Sequence, residues 1–266
     1  MAHDNFFNLE KLIKLLDNEQ NSLYIHIDKK VKNFNFNFFE NISKKSKIFF
    51  VDRLNIYWGT YTQIDAIKNL MIEAVKNNYD YHHMISGADL PIKSQEVIHS
   101  FFEKNNGKEF IGYAKNFNKD LVYKYNYFVK YNRSNNKFIS LNSKRIRKAL
   151  NKLQELLNIN PVKNLDWEIK KGCDWYSLTH DAVNYILKEE NKFKKYFKYT
   201  MGPGEFFIQT IIYNSKFKKN IYSFESENIG SQRLIDWNRG TPYTFKEEDF
   251  YTVINSNLLF ARKFHE

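Results

Sequence analysis

Apolar positions along the chain recur with two different periods, and their alternation predicts the elements. Phe6, Leu9, Leu12, Ile13 and Leu16 follow one another at three- and four-residue steps, the face of an amphipathic helix. The run Ser22-Leu-Tyr-Ile-His-Ile-Asp28 is apolar and β-branched and ends at Lys29-Lys30, as a buried strand meeting a loop does. Lys47–Val51 predicts a second strand. Tyr61–Val75, with Ile64, Ile67, Leu70, Met71 and Ala74, predicts a second helix, and Tyr79–Ser86 a third strand stopped by Gly87. Ser94 is placed to cap a third helix through Phe102. Such strand–helix alternation predicts parallel pairing and an α/β layer fold.

Beyond Gly107 the rhythm loosens. Phe110–Tyr113 reads as a strand, Phe117–Lys144 is rich in Tyr, Lys and Asn with little periodicity, and Arg145–Leu157 returns to helix. Trp175–Leu178 predicts a strand whose neighbour Thr179 caps a helix over Asp181–Leu187. Gly202-Pro203-Gly204 breaks the chain just before an apolar helix, Glu205–Ile212. Thr244 and Glu247 have the spacing of a capping box that opens one last short helix. No linker, repeat or low-complexity boundary interrupts the chain. The expectation is one domain over 1–266, with an α/β part to about 113 and an irregular part over about 114–266.

Composition narrows the function classes. The chain has 266 residues, 42 % of them hydrophobic, enough for a sizeable core. Its one cysteine, Cys173, excludes a disulfide framework and leaves no ligand spacing for a structural zinc. No apolar run approaches the roughly 18–20 residues of a membrane-spanning helix, and the N-terminus has no signal-peptide pattern, so a soluble protein is expected. With 41 Lys and Arg against 30 Asp and Glu the net charge is +11, which favours an anionic partner. Lys- and Asn-rich usage also follows from AT-rich coding, so most of these lysines are read as a solvated basic face. Tyr123–Tyr131 interleaves aromatics and cations, as single-strand nucleic-acid binders do. A nucleic-acid-binding module is therefore the competing class, but it leaves the clusters described next without a role.

Ligands of α/β sheets sit beyond the carboxyl ends of strands. His26/Asp28, Trp58-Gly59-Thr60 and Ser86-Gly87-Ala88-Asp89 all fall there, which predicts one shared cleft. The chain lacks a phosphate-cradling Walker loop, a dinucleotide G-x-G-x-x-G turn and a G-x-S-x-G elbow. His82 and His83 are adjacent on a strand and point to opposite faces, one core and one surface histidine rather than a metal pair. There is also no Asp-x-Asp, so no metal site is expected. A departing diphosphate would then need fixed cations, and the C-terminal third offers Arg233, Arg239, Arg262 and Lys263. Arg262-Lys263 lies among apolar residues, consistent either with desolvated cations or with an edge strand whose cations face water. Glu205 is the acid/base candidate. In the first turn of its helix, free N–H groups and the helix dipole favour an ionised carboxylate, although a first-turn Glu is also a common stabilising feature.

Six segments occur in the order and spacing of one known family: Tyr24–Lys30, Trp58–Thr60, Tyr81–Lys93, Gly172–Trp175, Pro203–Phe207 and Leu259–Phe264. The chain resembles the core-2/I-branching β-1,6-N-acetylglucosaminyltransferase family, which includes the protein O-xylosyltransferases, from Met1 to Phe264. The resemblance implies a GT-A-type fold and an inverting transfer from a UDP-sugar co-substrate without a divalent metal or other cofactor. It implies Glu205 as the base that deprotonates the acceptor hydroxyl, and Lys263 as the lysine that grips the diphosphate, with Arg262 beside it. It places His3, Asp28, Lys29 and Trp58 on the uridine side, and Ser86, Gly87, Asp89, Asp174, Trp175 and Trp237 on the sugar and acceptor side. The family's second diphosphate cation, an arginine, maps onto Arg239, with Arg233 as its rival. Pro203–Phe207 leans towards the xylosyltransferase branch, so xylose and N-acetylglucosamine are the expected donor sugars.

Lacking the anchors and disulfides of the animal members, the chain reads as a bacterial cytoplasmic enzyme. It is expected at an anionic inner membrane face, glycosylating a glycan or lipid-linked saccharide and binding no nucleic acid; an inactive glycan-binding relative is the further alternative. The family also implies a strand leading into Ala2-His3. Met1 stands where that strand should end, so either the start lies upstream or an inner row of the sheet is missing, with neighbouring backbone groups unpaired.

Overall fold

The computed structural model describes residues 1–115, 145, 148, 149, 152–157, 162 and 164–265. The stretch Phe117–Lys144, and with it Tyr123–Tyr131, lies outside the described residues. The first half runs α1 (Phe6–Leu15), β1 (Ser22–Ile25), α2 (Phe36–Glu40), β2 (Lys47–Phe50), α3 (Thr62–Ala74), β3 (Tyr81–His83), β4 (Asp89–Pro91), α4 (Gln95–Lys104) and β5 (Phe110–Ile111). Residues 152–156 are helical, within the stretch expected to be helix. Then come β6 (Tyr176–Thr179), α5 (His180–Phe197), α6 (Gly204–Tyr213), α7 (Glu227–Ser231), β7 (Arg233–Ile235), α8 (Phe250–Ile254) and β8 (Phe260–Arg262). Among the described residues no helix is long and apolar enough to cross a membrane.

Two of the caps are those that the sequence predicts. Ser94 accepts from the Val97 N–H at the start of α4, and Thr179 from the Ala182 N–H at the start of α5. At the C-terminal end the expected box at Thr244 and Glu247 is replaced by one two residues later, where the Asp249 carboxylate accepts from the Lys246 N–H at 2.9 Å. Helix α5 runs ten residues past the expected end at Leu187. Its inward face continues through Glu190, Phe193 and Phe197, and the buried Glu190 carboxylate is held by Lys68 at 2.7 Å and the Tyr61 hydroxyl at 3.0 Å. Phe193 stacks on Phe197 and meets Phe207 edge-on, joining α5 to α6 in the largest core cluster.

The described strands do not form the expected mostly parallel central sheet. They form a parallel pair β1-β2, a set β3-β6-β5 antiparallel throughout, and a mixed set β4-β8-β7. Strand–helix alternation yields parallel neighbours only where consecutive strands lie side by side, as β1 and β2 do across α2. Strand β6 enters after a long excursion and runs against both of its neighbours. Strand β8, for which an edge place was one of two open readings, is the centre of its set, between β4 and β7.

Between β1 and β3 lies a groove of about 680 Å³, floored by Leu12 and Ile13 of α1, Ile67 and Met71 of α3, and Ile98 and Phe102 of α4. Met1 and Ala2 occupy its end. The Ala2 N–H donates to His26 O and Ala2 O accepts from Asp28 N, while the Met1 ammonium donates to Ile85 O and Met1 O accepts from Gly87 N. These two residues are thus laced to both walls as a strand would be, and the walls separate beyond them. His83 lines this groove with its Nδ1 2.8 Å from Ser177 Oγ, and His82, on the opposite face, sits 3.2 Å from His180 Nδ1. His83 is exposed, the expected surface histidine, whereas His82 is only half-buried and not a core residue; each meets a side-chain partner.

Candidate active site

The site is built where the turn before α6 meets the loop after β2. Gly202 and Gly59 both have positive φ, 64° and 71°, a region that only glycine enters at little cost. The Gly202 N–H donates to Gly59 O at 2.9 Å, tying the two loops together. The Gly59 N–H is in turn held by Gln63 of α3 at 2.7 Å. Together they bring Trp58, 53 % exposed, to the rim of a cleft of about 190 Å³ whose walls include Lys171, Asp174, Gly202 and Glu205. Glu205 is in the first turn of α6, as the sequence predicts, and its Oε2 is 3.0 Å from Lys171 Nζ.

The opposite wall is the segment Lys171–Trp175, fixed by its own backbone. Lys171 O accepts from Ala114 N at 2.8 Å, Gly172 N donates to Glu205 O at 2.9 Å, and Gln209 of α6 donates to Cys173 O at 2.7 Å. A Cβ on Gly172 would lie 1.9 Å from Gly112 O, so no other residue allows this approach. Asp174 is consequently pressed against the start of α6, its Oδ1 2.8 Å from where a Cβ on Gly204 would stand. That oxygen is buried and has no hydrogen-bond partner.

Strand β8 delivers Arg262 to the same wall. Its guanidinium lies 3.4 Å from the centre of the Trp175 ring and pairs with Asp89 at 2.7 Å. Asp89 also accepts from the Ser86 N–H at 2.7 Å, and Ser86 Oγ accepts from Arg262 at 3.0 Å. The alternative of two water-facing cations on an edge strand therefore does not hold for Arg262, which is 9 % exposed and whose Nε is buried without a partner. Lys263 follows, its backbone held by Tyr243 and Phe245, and its ammonium makes no ion pair with the described residues. Gly87 lines the groove between β1 and β3 rather than this cleft, and its N–H and C=O bind Met1 and the buried Asn8 side chain.

The remaining residues named from the sequence lie in two other places. Asp28 is buried, accepts from the Lys30 N–H and pairs with Lys30 Nζ at 3.3 Å; the neighbouring Lys29 N–H donates to Leu54 O. His3, next to Ala2, is exposed and pairs with Asp4 at 3.3 Å. Trp237, 43 % exposed, stands on the loop that follows β7. Arg239 on that loop is engaged by Asp236 at 2.6 Å and Asp249 at 2.7 Å, and to reach a ligand it must leave both. Arg233 is buried among Ser177 Oγ and the carbonyls of Tyr176 and Ser231, with Phe260 beneath it. It braces β7 against β6 and faces no cleft. Among the described residues no group of three His, Cys, Asp or Glu side chains is placed to hold a metal ion.

Burial, and then the charge of Glu205, push the Asp174 carboxyl up to about 7, with Arg262 and Lys171 pulling the other way. The unfolded chain releases this proton near pH 4. Between about pH 4 and 7 the folded state binds the extra proton, so this group's contribution to stability declines as pH rises through that window. Asp174→Asn is accordingly expected to gain stability relative to the parent between pH 5 and pH 8, measured as the difference in urea midpoints. Glu109, also raised to about 7, titrates in both proteins and cancels. A difference that is constant with pH would refute the assignment.

Three residues of the site carry no motif. Gln63 and Gln209 are helix residues whose amides hold loop backbone, and Lys171 is one of 41 Lys and Arg. The only local signal for Lys171 is its place immediately before Gly172-Cys173-Asp174-Trp175.

Residues 1–258 match the family described as Core-2/I-Branching enzyme, and the chain belongs to that family. It is 22 % identical over 283 residues to Xylosyltransferase 2 of Rattus norvegicus, an alignment that covers 96 % of this chain and 30 % of the relative. Xylosyltransferase 2 of Homo sapiens and Xylosyltransferase oxt of Drosophila melanogaster are likewise 22 % identical over 282 residues, with the same coverage. The chain thus spans about 30 % of the length of the curated relatives it matches.

Proposed function

We propose that this chain is a glycosyltransferase of GT-A type that moves xylose or N-acetylglucosamine from a UDP-sugar to a hydroxyl of a glycan or saccharide precursor. The family membership and the xylosyltransferase relatives support the reaction class. The observation that carries the site is the convergence of Glu205, Asp174 and Trp58 on one cleft, with Arg262 reaching its wall through Trp175.

In this reading the acceptor oxygen attacks the anomeric carbon in line with the departing diphosphate. Its proton passes to Glu205, the new C–O bond forms as the bond to the diphosphate breaks, and UDP leaves with the bonding electrons, inverting the configuration. The charge that develops on the diphosphate is met by the Lys263 ammonium, with Arg262 beside it, rather than by a divalent ion. Asp28, Lys29 and His3 border the nucleoside, and Trp237 and Asp174 the sugars.

Thermal-shift titration with UDP, UDP-xylose and UDP-N-acetylglucosamine, each in EDTA and in Mn²⁺, tests this. Equal stabilisation by UDP with and without Mn²⁺ is expected, with one UDP-sugar giving the larger shift. Lys263→Ala is expected to weaken UDP binding about tenfold or more, the loss of one hydrogen-bonded charge pair. A UDP response that needs Mn²⁺ would remove the metal-free part, and no response to any uridine ligand would remove the donor assignment.

A further inference from the structure

Lys171 has no part in the reaction as described, yet among the described residues it is the cation paired with the proposed base. Its Nζ is 3.0 Å from Glu205 Oε2, and both side chains are about half-buried. The other oxygen, Oε1, is turned towards the turn at Gly202, about 4.0 Å from where a Cβ on that residue would be. The peptide of Lys171 is itself immobilised, by the Ala114 N–H on its carbonyl and by the Gly172–Glu205 hydrogen bond one residue on. Base and cation are therefore joined twice, once through backbone and once through side chains. The other charged groups that act on this region are the carboxyls of Asp174 and Glu227, both of which Lys171 favours in their ionised form and both of which Glu205 disfavours, and Arg262, which also favours ionised Asp174.

We propose that Lys171 is a positioning residue of the transfer reaction: it clamps one oxygen of the Glu205 carboxylate so that the other is presented to the acceptor hydroxyl. The inference rests on the reading of Glu205 as the base. A carboxylate on a flexible side chain samples rotamers in which neither oxygen faces the attacking atom, and misplacement by about 1 Å reduces rate by as much as about a hundredfold. As Glu205 takes the acceptor proton its charge disappears, and the ammonium is left near Asp174, the cleft-lining carboxyl whose buried Oδ1 lacks a partner. Lys171 thus serves the base before transfer and has a second carboxyl to face afterwards.

The test compares Lys171→Met, Lys171→Arg and Glu205→Gln with the parent, reading UDP release from UDP-xylose and from UDP-N-acetylglucosamine with water as acceptor. Lys171→Met is expected to lower kcat roughly 10–100-fold while KM for the donor changes less than about threefold, and Lys171→Arg to recover most of the rate. A purely structural lysine would not give that split or that rescue. If Lys171→Met turns over like the parent, or Lys171→Arg is as slow as Lys171→Met, while Glu205→Gln is inactive, the clamp is wrong and the base stands. If Glu205→Gln turns over like the parent, or the parent releases no UDP, the base reading itself falls. Independently of turnover, the ¹⁵N resonance of Lys171 Nζ, assigned by its loss in Lys171→Met, should shift in Glu205→Gln; an unmoved resonance overturns the clamp.

Discussion

Glu205→Gln is expected to reduce sugar transfer by roughly 10²–10⁴-fold, the range of a lost general base, while UDP binds as before. The amide has the shape of the carboxylate but cannot accept the acceptor's proton, so the loss should fall on kcat. Folding should be little affected. The Lys171–Glu205 pair is 39 % and 43 % exposed on its two side chains, and ion pairs with that much solvent contribute at most about 1 kcal/mol. Gln also leaves the Glu205 backbone contacts to Gly202 and Gly172 in place. The measurements are initial rates, UDP calorimetry and thermal unfolding of parent and variant side by side. Undiminished transfer by Glu205→Gln would end the catalytic assignment, and loss of UDP binding together with activity would relocate the residue to the donor side.

A second large effect is expected in stability. Placing an extended apolar segment of about five residues directly before Met1 should raise Tm by several degrees, because the groove between β1 and β3 has the lining that such a strand requires. Each apolar side chain so buried contributes about 1.5–3 kcal/mol, and each ladder hydrogen bond about 1 kcal/mol. Ordering the backbone opposes this by about 1–2 kcal/mol per residue, which leaves a net gain of a few kcal/mol. For a domain of this size that corresponds to a rise of roughly 5–15 °C. The extension also replaces the buried Met1 ammonium, which burial pushes down to about 6 against the attraction of Asp89. Because the folded amine sheds its proton before the unfolded one does, the parent gains stability from about pH 6 to pH 8, and the extension should help more at pH 6. A Gly-Ser segment of equal length is the control. Equal melting temperatures for the two extensions would show that the groove does not take a strand.

Much of the element order was legible in the sequence because local chemistry decides it. Ser94 and Thr179 announce their helices by side-chain oxygen, and Gly202-Pro203-Gly204 announces α6 by what those residues forbid. What escaped depends on partners distant in the chain. The helix expected to end at Leu187 continues past Glu190, a charged residue on its apolar face; the Lys68 and Tyr61 groups that make its burial tolerable lie more than a hundred positions away. The place of β8 at the centre of its set needs β4 and β7, and neither announces itself beside Leu259–Phe264.

The site divides in the same manner. Trp58 was readable from a strand end and Glu205 from a helix start, Asp174 only through the family resemblance, and the structure sets all three on one cleft. The cations were less readable, because a guanidinium's role depends on what has already claimed it. Arg239 is taken by Asp236 and Asp249, Arg233 by interior carbonyls and Arg262 by Asp89, and none of those pairings is visible as spacing.

The backbone hydrogen bond from the Gly202 N–H to Gly59 O has a mechanical consequence. One loop carries an indole at the rim and the other carries the carboxylate, yet neither can swing without dragging or releasing its companion. Whatever presses on the Trp58 side reaches Gly202 through Gly59, three residues before Glu205. Arrival of one reactant and readiness towards the other are thereby geared together, through two backbones at the only two positions in these loops where φ is positive.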